Sequence, residues 1–276
     1  MRLLRGVWVT VDDLVSTFGS SGDRVWALEF LAENFVMRNR THISFRREET
    51  FRALPHQLDD VLLDEGRSVS VRREDIDKGV YVLHGVLSPK ECKRLIETAR
   101  GIGFTHAGLA IGNDTYRVNL AARNNTRVVI DAPKMALELW ERVKTLVDPQ
   151  HEGSELRGLN DRFRVYQYDV GQRFFPHVDV RTMVPRGETR ESFMIYLNDG
   201  FEGGATRFFE VKEKSSRRGE GRGRKFDNRV RLSVRAPVGS VVVFDHLLLH
   251  EGAEVTAGVK YAVRSDLIYA PGRRAK

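Results

Sequence analysis

After Glu155 the chain is a succession of short runs, at about 162–169, 173–180, 192–198, 205–211, 229–235, 240–245 and 260–269, separated by Gly- and Pro-bearing turns. Many short strands at this spacing restrict the fold to a sandwich or barrel. Helical patterns placed before them would pack on one sheet, which makes the fold class α+β. The chain contains no internal repeat.

Within that frame the stretch from Arg162 to Val180, RFRVYQYDVGQRFFPHVDV, reads as strand, Gly turn, strand, and it ends in His177-Val178-Asp179. Residues two apart on an extended chain point to one face, so His177 and Asp179 can offer an imidazole nitrogen and a carboxylate oxygen to a single point. His-x-Asp alone is weak, since composition gives roughly half an occurrence per chain by chance. A third ligand is expected from His250, 73 residues beyond His177, after the buried-looking run Ser240–Phe244. Two histidines and a carboxylate on one side of an ion leave positions open, the arrangement of non-haem Fe(II) oxygenases. His246 and His250 stand four apart, but their flanks read as strand and no carboxylate is placed as in His-Glu-x-x-His. His246 is therefore expected to be structural.

Residues 1–75 have helical spacing, with Val25, Leu28, Leu31, Ala32 and Phe35 in one set and Phe51, Leu54, Leu58, Val61 and Leu62 in another. A helical N-terminal segment, 1–78, is expected ahead of the main domain, 79–276. Val80 to Val86 reads as a strand, and Ser88-Pro89-Lys90-Glu91 opens a helix with a capping box, closed by Gly101 and Gly103. Residues 105–127 read as a long loop or irregular hairpin. Asp131 is expected to cap a second helix that buries Met135, Leu139, Trp140, Val143 and Val147.

The net charge of +7 is local, because residues 212–235 hold ten Lys/Arg against three Asp/Glu and account for the whole excess. A flexible basic insert at about 212–231 explains this better than a nucleic-acid face, since only Phe226 in the run could stack on a base. The single cysteine, Cys92, excludes an intrachain disulfide and a Cys-based zinc site. No run of about 18 apolar residues is present, so no spanning helix is expected. The opening MRLLRGVWVTVDDLV is interrupted by Asp12 and Asp13 and falls short of a signal peptide. A cytoplasmic protein is expected.

On the last run Lys260, Ala262, Arg264 and Asp266 share one face. Burying two cations there is costly without an anion, which a dicarboxylate ligand would supply; an internal Arg264–Asp266 pair is the alternative. Tyr168 and Tyr196 are further candidates for a carboxylate contact, each with an apolar ring and one polar tip.

Taken in order, Tyr168-x-x-Gly171, His177-x-Asp179, Tyr196-Leu197-Asn198, Gly203-Gly204-x-Thr206, Gly239-Ser240, Phe244, His250 and Lys260 resemble the iron(II)- and 2-oxoglutarate-dependent dioxygenases of the prolyl 4-hydroxylase-like branch. The resemblance covers about residues 79–270. It implies a double-stranded β-helix (jelly-roll, cupin-like) with His177, Asp179 and His250 on iron and 2-oxoglutarate chelating that iron. It also implies Lys260 on the distal carboxylate, with Tyr168 and Tyr196 lining the cosubstrate pocket. Arg264, 14 residues after His250, competes with Lys260 for that carboxylate, since other branches use an Arg at longer spacing. O2 would be the oxidant, ascorbate a reductant, and succinate, CO2 and a hydroxylated C–H bond the products.

By position, Arg117–Arg127 matches a loop that covers the active site in prolyl hydroxylases, making Arg123, Asn124, Asn125 and Arg127 substrate-contact candidates. An Asn-rich turn explains the same residues without function. The branch resemblance favours a peptide or protein side chain as substrate. The competing readings are a free amino acid or other small metabolite, repair of alkylated nucleobases, and a non-catalytic metal-binding cupin-type module.

Overall fold

The computed structural model describes residues 50–52, 55–58, 63–64, 70–112, 115–117, 119–120, 122–210 and 229–271. Two facing sheets form the core. The larger has twelve strands, with the central order Thr126–Asp131, Arg162–Tyr168, Lys260–Tyr269, Gly187–Tyr196, Val241–Asp245, Val80–His84 and Arg72–Asp77. The smaller has four: Phe174–His177, His250–Gly252, Thr206–Phe209 and Val230–Val234. This is the jelly-roll arrangement expected of a double-stranded β-helix.

Alternation decides what each face of the large sheet does. Phe163, Val165, Phe193, Ile195, Val243, Val263 and Leu267 point outward into one core with Leu95, Met135 and Leu139 of the two helices. The intervening Tyr166, Tyr168, Tyr196, Val242 and Phe244 point inward, where they pack with Phe208, Val234, Phe201 and Val255. The helices thus cover one face and leave the other for the site.

Helix α1, Pro89–Ile102, begins as its sequence predicts. The Ser88 hydroxyl accepts from the Glu91 amide at 3.1 Å, and the Glu91 carboxylate accepts from the Ser88 amide at 2.6 Å. The same carboxylate takes Nη2 of Arg142 at 2.9 Å from helix α2, Pro133–Val143. Burial alone would raise the Glu91 carboxyl, but Arg142 and the amides of Ser88 and Asp64 bring it down to about 2. A depressed carboxyl stabilises the fold fully above its ordinary value and loses that contribution as pH falls toward 2. Glu91→Gln is therefore expected to cost about 3 kcal/mol in urea unfolding at pH 7. At pH 3 the gap to wild type should narrow; a gap independent of pH would show that the pair does not act through its charge.

Several local expectations are corrected. Asp131 does not cap α2: Ala132 stands at the N-cap without a side-chain bond. The Asp131 carboxylate instead binds Arg162 on the adjacent strand, at 2.8 and 3.1 Å. Within the stretch expected to be helical, Thr50–Arg52, His56–Gln57 and Arg72–Asp77 are strands, so Phe51 lies in a ladder with Thr115–Arg117. Residues 1–49, which hold the first helical pattern, lie outside the described residues, as does the basic insert over 211–228. Of the two readings of 105–127, a long loop or an irregular hairpin, the structure has the hairpin: Leu109–Gly112 pairs antiparallel with Thr115–Arg117 with a register shift.

Candidate active site

His177 ends its strand and His250 begins the neighbouring one, directly opposite in register. Asp179 follows two residues on, its amide anchored to the His246 carbonyl at 2.8 Å. One ligand atom from each of the three lies within 4.8 Å of the others. His177 Nε2 stands 3.8 Å from Asp179 Oδ1, and His250 Nε2 stands 3.6 Å from Oδ2.

The orientation of both rings is fixed from behind. His177 Nδ1 bonds the Phe175 carbonyl at 2.7 Å, and His250 Nδ1 bonds the Leu248 carbonyl at 2.8 Å. A carbonyl can only accept, so each Nδ1 carries the proton and each Nε2 presents its lone pair toward the carboxylate. Burial holds both imidazoles below their ordinary pKa, His177 well below, which keeps those lone pairs free. Phe174 stacks on the His177 ring at 3.5 Å. Two neutral imidazoles and one carboxylate converging from one side fit a divalent iron with open positions.

The carboxylate has its own support. Asp179 accepts from Ser192 Oγ and from Arg264 Nη1, each at 2.5 Å. Burial would raise its carboxyl, but Arg264 and then His250 hold it well below the usual range. Arg264 also bonds Asp266 at 2.8 Å, and Asp266 in turn meets His246 and Arg164, each at 3.2 Å. Asp266 too is held well below the usual range, against burial, chiefly by Arg264. His246 is structural, as its flanks suggest.

Lys260 lies elsewhere in the same cavity, which Tyr168, Thr206, Met194 and Ala262 also line. It is only 4% exposed, and its Nζ donates to the Gly204 carbonyl at 2.7 Å. Gly204 has φ +61°, a conformation that favours glycine, and a Cβ there would crowd Phe201, Val255 and Lys260 at 3.0, 3.1 and 3.2 Å. The Lys260 ammonium sits over the rings of Tyr196 and Tyr168, at 4.8 and 5.4 Å. Burial, aided by Arg235, brings it down to about 7. No carboxylate meets it among the described residues.

Family comparison agrees with this chemistry. Residues 163–265 match the model of the 2OG-Fe(II) oxygenase superfamily, a span that includes His177, Asp179, His250 and Lys260. The chain carries a 2OG-Fe(II) oxygenase domain. The oxygenase is thus a 2-oxoglutarate-dependent dioxygenase using Fe(II) and O2. No curated protein matches its sequence. Solved structures similar to it include the viral collagen prolyl hydroxylase of Paramecium Bursaria Chlorella virus-1 (18% identity, TM-score 0.44, covering 70% of this chain and 96% of that one). A Trichoplax adhaerens prolyl hydroxylase is similar at 16% identity and TM-score 0.49, over 69% and 83% of the two chains. A Pseudomonas putida prolyl-4-hydroxylase gives 16% and 0.46, over 71% and 94%.

The structure separates the residues the sequence grouped. Arg264 bonds Asp179 and Asp266, so its guanidinium serves two carboxylates of the protein, whereas Lys260, in the same cavity, has none among the described residues. Tyr168 lines the cavity, whereas the Tyr196 hydroxyl is taken by Thr206 Oγ1 at 2.6 Å and the Val234 carbonyl at 3.2 Å. Tyr196 therefore underlies Lys260 and positions Thr206. Ser192, Arg164 and Thr206 carry polar contacts that sequence reading assigned no role. Only Thr206 had a signal, in Gly203-Gly204-x-Thr206. A second group with ligand spacing, His151, Glu152 and Asp245, is an ion-pair network: His151 bonds Asp245 at 2.8 Å, and Arg181 bonds Glu152 at 2.7 Å.

Of the loop candidates, Arg123 and Asn125 are buried and joined, Nε to Oδ1 at 2.7 Å. Arg127 is buried opposite Tyr166. Asn124 ties the loop to the Gly turn, accepting from the Arg173 amide at 2.7 Å and donating to the Gly171 carbonyl at 3.2 Å.

Proposed function

We propose that the oxygenase hydroxylates a C–H bond of a peptide or protein side chain, with His177, Asp179 and His250 as iron ligands and Lys260 on the distal carboxylate of 2-oxoglutarate. The observation that carries this reading is Lys260: a buried ammonium without a carboxylate partner among the described residues, in the cavity that holds the triad. A non-catalytic cupin module has no use for such a cation. When bound, iron(II), 2-oxoglutarate and O2 supply the oxidation, which yields succinate and CO2 beside the hydroxylated product.

The chain's own residues orient and exclude. Phe175 and Leu248 carbonyls aim the imidazoles, Ser192 and Arg264 fix the carboxylate, and Tyr168 and Met194 keep water from the cavity wall. The prolyl 4-hydroxylase-like order of motifs supports a peptide substrate. So do Val180, Met183 and Leu247, apolar residues exposed close in sequence to Asp179 and His246. A buried cation at Arg123 favours a second reading, a small organic acid or free amino acid. The single buried thiol of Cys92, pushed up to about 12 by burial, is consistent with a cytoplasmic setting. Among the described residues no helix is long and apolar enough to cross a membrane.

Succinate formation from 2-oxoglutarate with Fe(II) and ascorbate tests the dioxygenase reading, and +16 Da products in treated lysate identify the substrate. Lys260→Ala is expected to raise KM for 2-oxoglutarate about 10–100-fold, the loss of a charge-assisted bond of about 1.5–3 kcal/mol. The pH dependence has a definite sign. Above about 7 Lys260 loses its proton in the cosubstrate-free protein, while a bound carboxylate retains it. Affinity for 2-oxoglutarate should be level below pH 7 and fall above it, by up to about tenfold per pH unit. An affinity flat from pH 6 to 9 would remove Lys260 from this role.

A further inference from the structure

Arg123 is 6% exposed, and its guanidinium lies over the rings of Phe174 and Tyr166, 4.2 and 4.6 Å from their centroids. Both rings line the cavity, and Phe174 also stacks on His177. Its Nε is bonded to Asn125, but its buried Nη2 has no hydrogen-bond partner among the described residues. Leaving one N–H edge of a buried guanidinium without an acceptor costs about 1–3 kcal/mol. The two rings offset part of that cost, but among the described residues nothing supplies Nη2 with an acceptor.

The charges around the cavity sharpen the point. Lys260 and Arg264 line it with the carboxylates Asp179 and Glu251, and Arg123 lies behind the lining rings of Phe174 and Tyr166. Arg264 binds Asp179 and Asp266, Arg164 shares Asp266, and Arg207 pairs with Glu251. 2-Oxoglutarate would bring one carboxylate to Lys260 and one to the iron, whose remaining charge Asp179 balances. Among the described residues no carboxylate pairs with Arg123. Its faces are covered by rings while part of its planar edge is unused, and that edge is the part that recognises a carboxylate with two parallel bonds.

We propose that Arg123 is a specificity-determining residue that binds a carboxylate of the substrate. The oxygenase would then act on acids: a molecule with a free carboxylate, or a peptide with an aspartate or glutamate beside the hydroxylated position. This rests on the dioxygenase reading above and names the chemistry its substrate must carry.

The test uses the full chain loaded with Mn(II) and 2-oxoglutarate, which binds without turnover, and reads Tm. Three probes are compared: the non-acidic protein amino acids as a pool, the same pool as α-carboxamides, and the capped peptides acetyl-Gly-Asp-Gly-amide and acetyl-Gly-Glu-Gly-amide. The amino-acid pool or the capped acidic peptides should raise Tm, and stimulate succinate formation by the Fe(II) enzyme, while the carboxamides do neither. Which of the two responds identifies the source of the carboxylate. Arg123→Gln should need about tenfold more probe or worse, with 2-oxoglutarate affinity unchanged. Arg123→Lys should retain part of the response and carries the comparison if Arg123→Gln does not fold. Equal responses to acids and carboxamides, no response to any probe, or a loss of 2-oxoglutarate affinity in Arg123→Gln would each overturn the proposal. Failure of the wild type to bind 2-oxoglutarate at all would instead overturn the dioxygenase reading, and is read separately.

Discussion

Asp179→Ala is expected to lower 2-oxoglutarate-dependent succinate formation by at least about three orders of magnitude, several kcal/mol of lost metal stabilisation. The substitution leaves His177 and His250 as two neutral donors and removes the one anionic ligand of the group. Its effect on folding should be far smaller. Arg264 keeps Asp266 at 2.8 Å, so no buried guanidinium is stranded, and the loss should stay near 1–3 kcal/mol. Asp179→Asn is the sharper variant, because the Ser192 contact survives while the charge does not. Near-wild-type turnover in either variant, with an unchanged circular dichroism spectrum, would refute the ligand assignment.

Arg264→Met gives the largest expected effect on stability, about 3–5 kcal/mol in the metal-free protein. It removes the cation shared by Asp179 and Asp266, two carboxylates with side chains only 4% exposed. Ser192 remains for one, and Arg164 with His246 for the other, which is too little positive charge for two buried anions. A bound divalent cation replaces part of the lost charge, so Mn(II) should restore more stability to the variant than it adds to wild type. Urea unfolding with and without Mn(II) measures both quantities. A variant that keeps its stability and instead loses affinity for 2-oxoglutarate would move the distal carboxylate from Lys260 to Arg264.

These two variants also show where sequence reading stopped. The contacts that hold Asp179 and Lys260 come from residues 13 to 85 positions away. The shared placement of His177 and Asp179 and the inward face of Lys260 were nevertheless open to sequence reading, because chain direction over two residues is local. The capping box at Ser88 and Glu91 was legible for the same reason. Arg264 was ambiguous because its periodicity puts it on the inner face, as it does Lys260, while its partner is chosen by an element 85 residues earlier. Asp131 was misassigned as a cap because the competing cation, Arg162, is a neighbour only across the sheet. Phe51 fitted a helical spacing but sits in a strand, since pairing with Thr115–Arg117 supplies backbone partners that spacing cannot reveal.

The sequence by itself determined the inventory: short alternating strands, one His-x-Asp pair, a distant histidine, and a lysine on the inward face of the last strand. Tertiary structure alone decided the pairings. It set His250 opposite His177, gave Arg264 to Asp179 and Asp266, turned the Tyr196 hydroxyl toward Thr206, and placed Arg123 between two rings with no anion among the described residues. The physical reason is that periodicity fixes which face a side chain occupies, whereas a buried charge is satisfied only by whatever the strand register brings within about 3 Å of it.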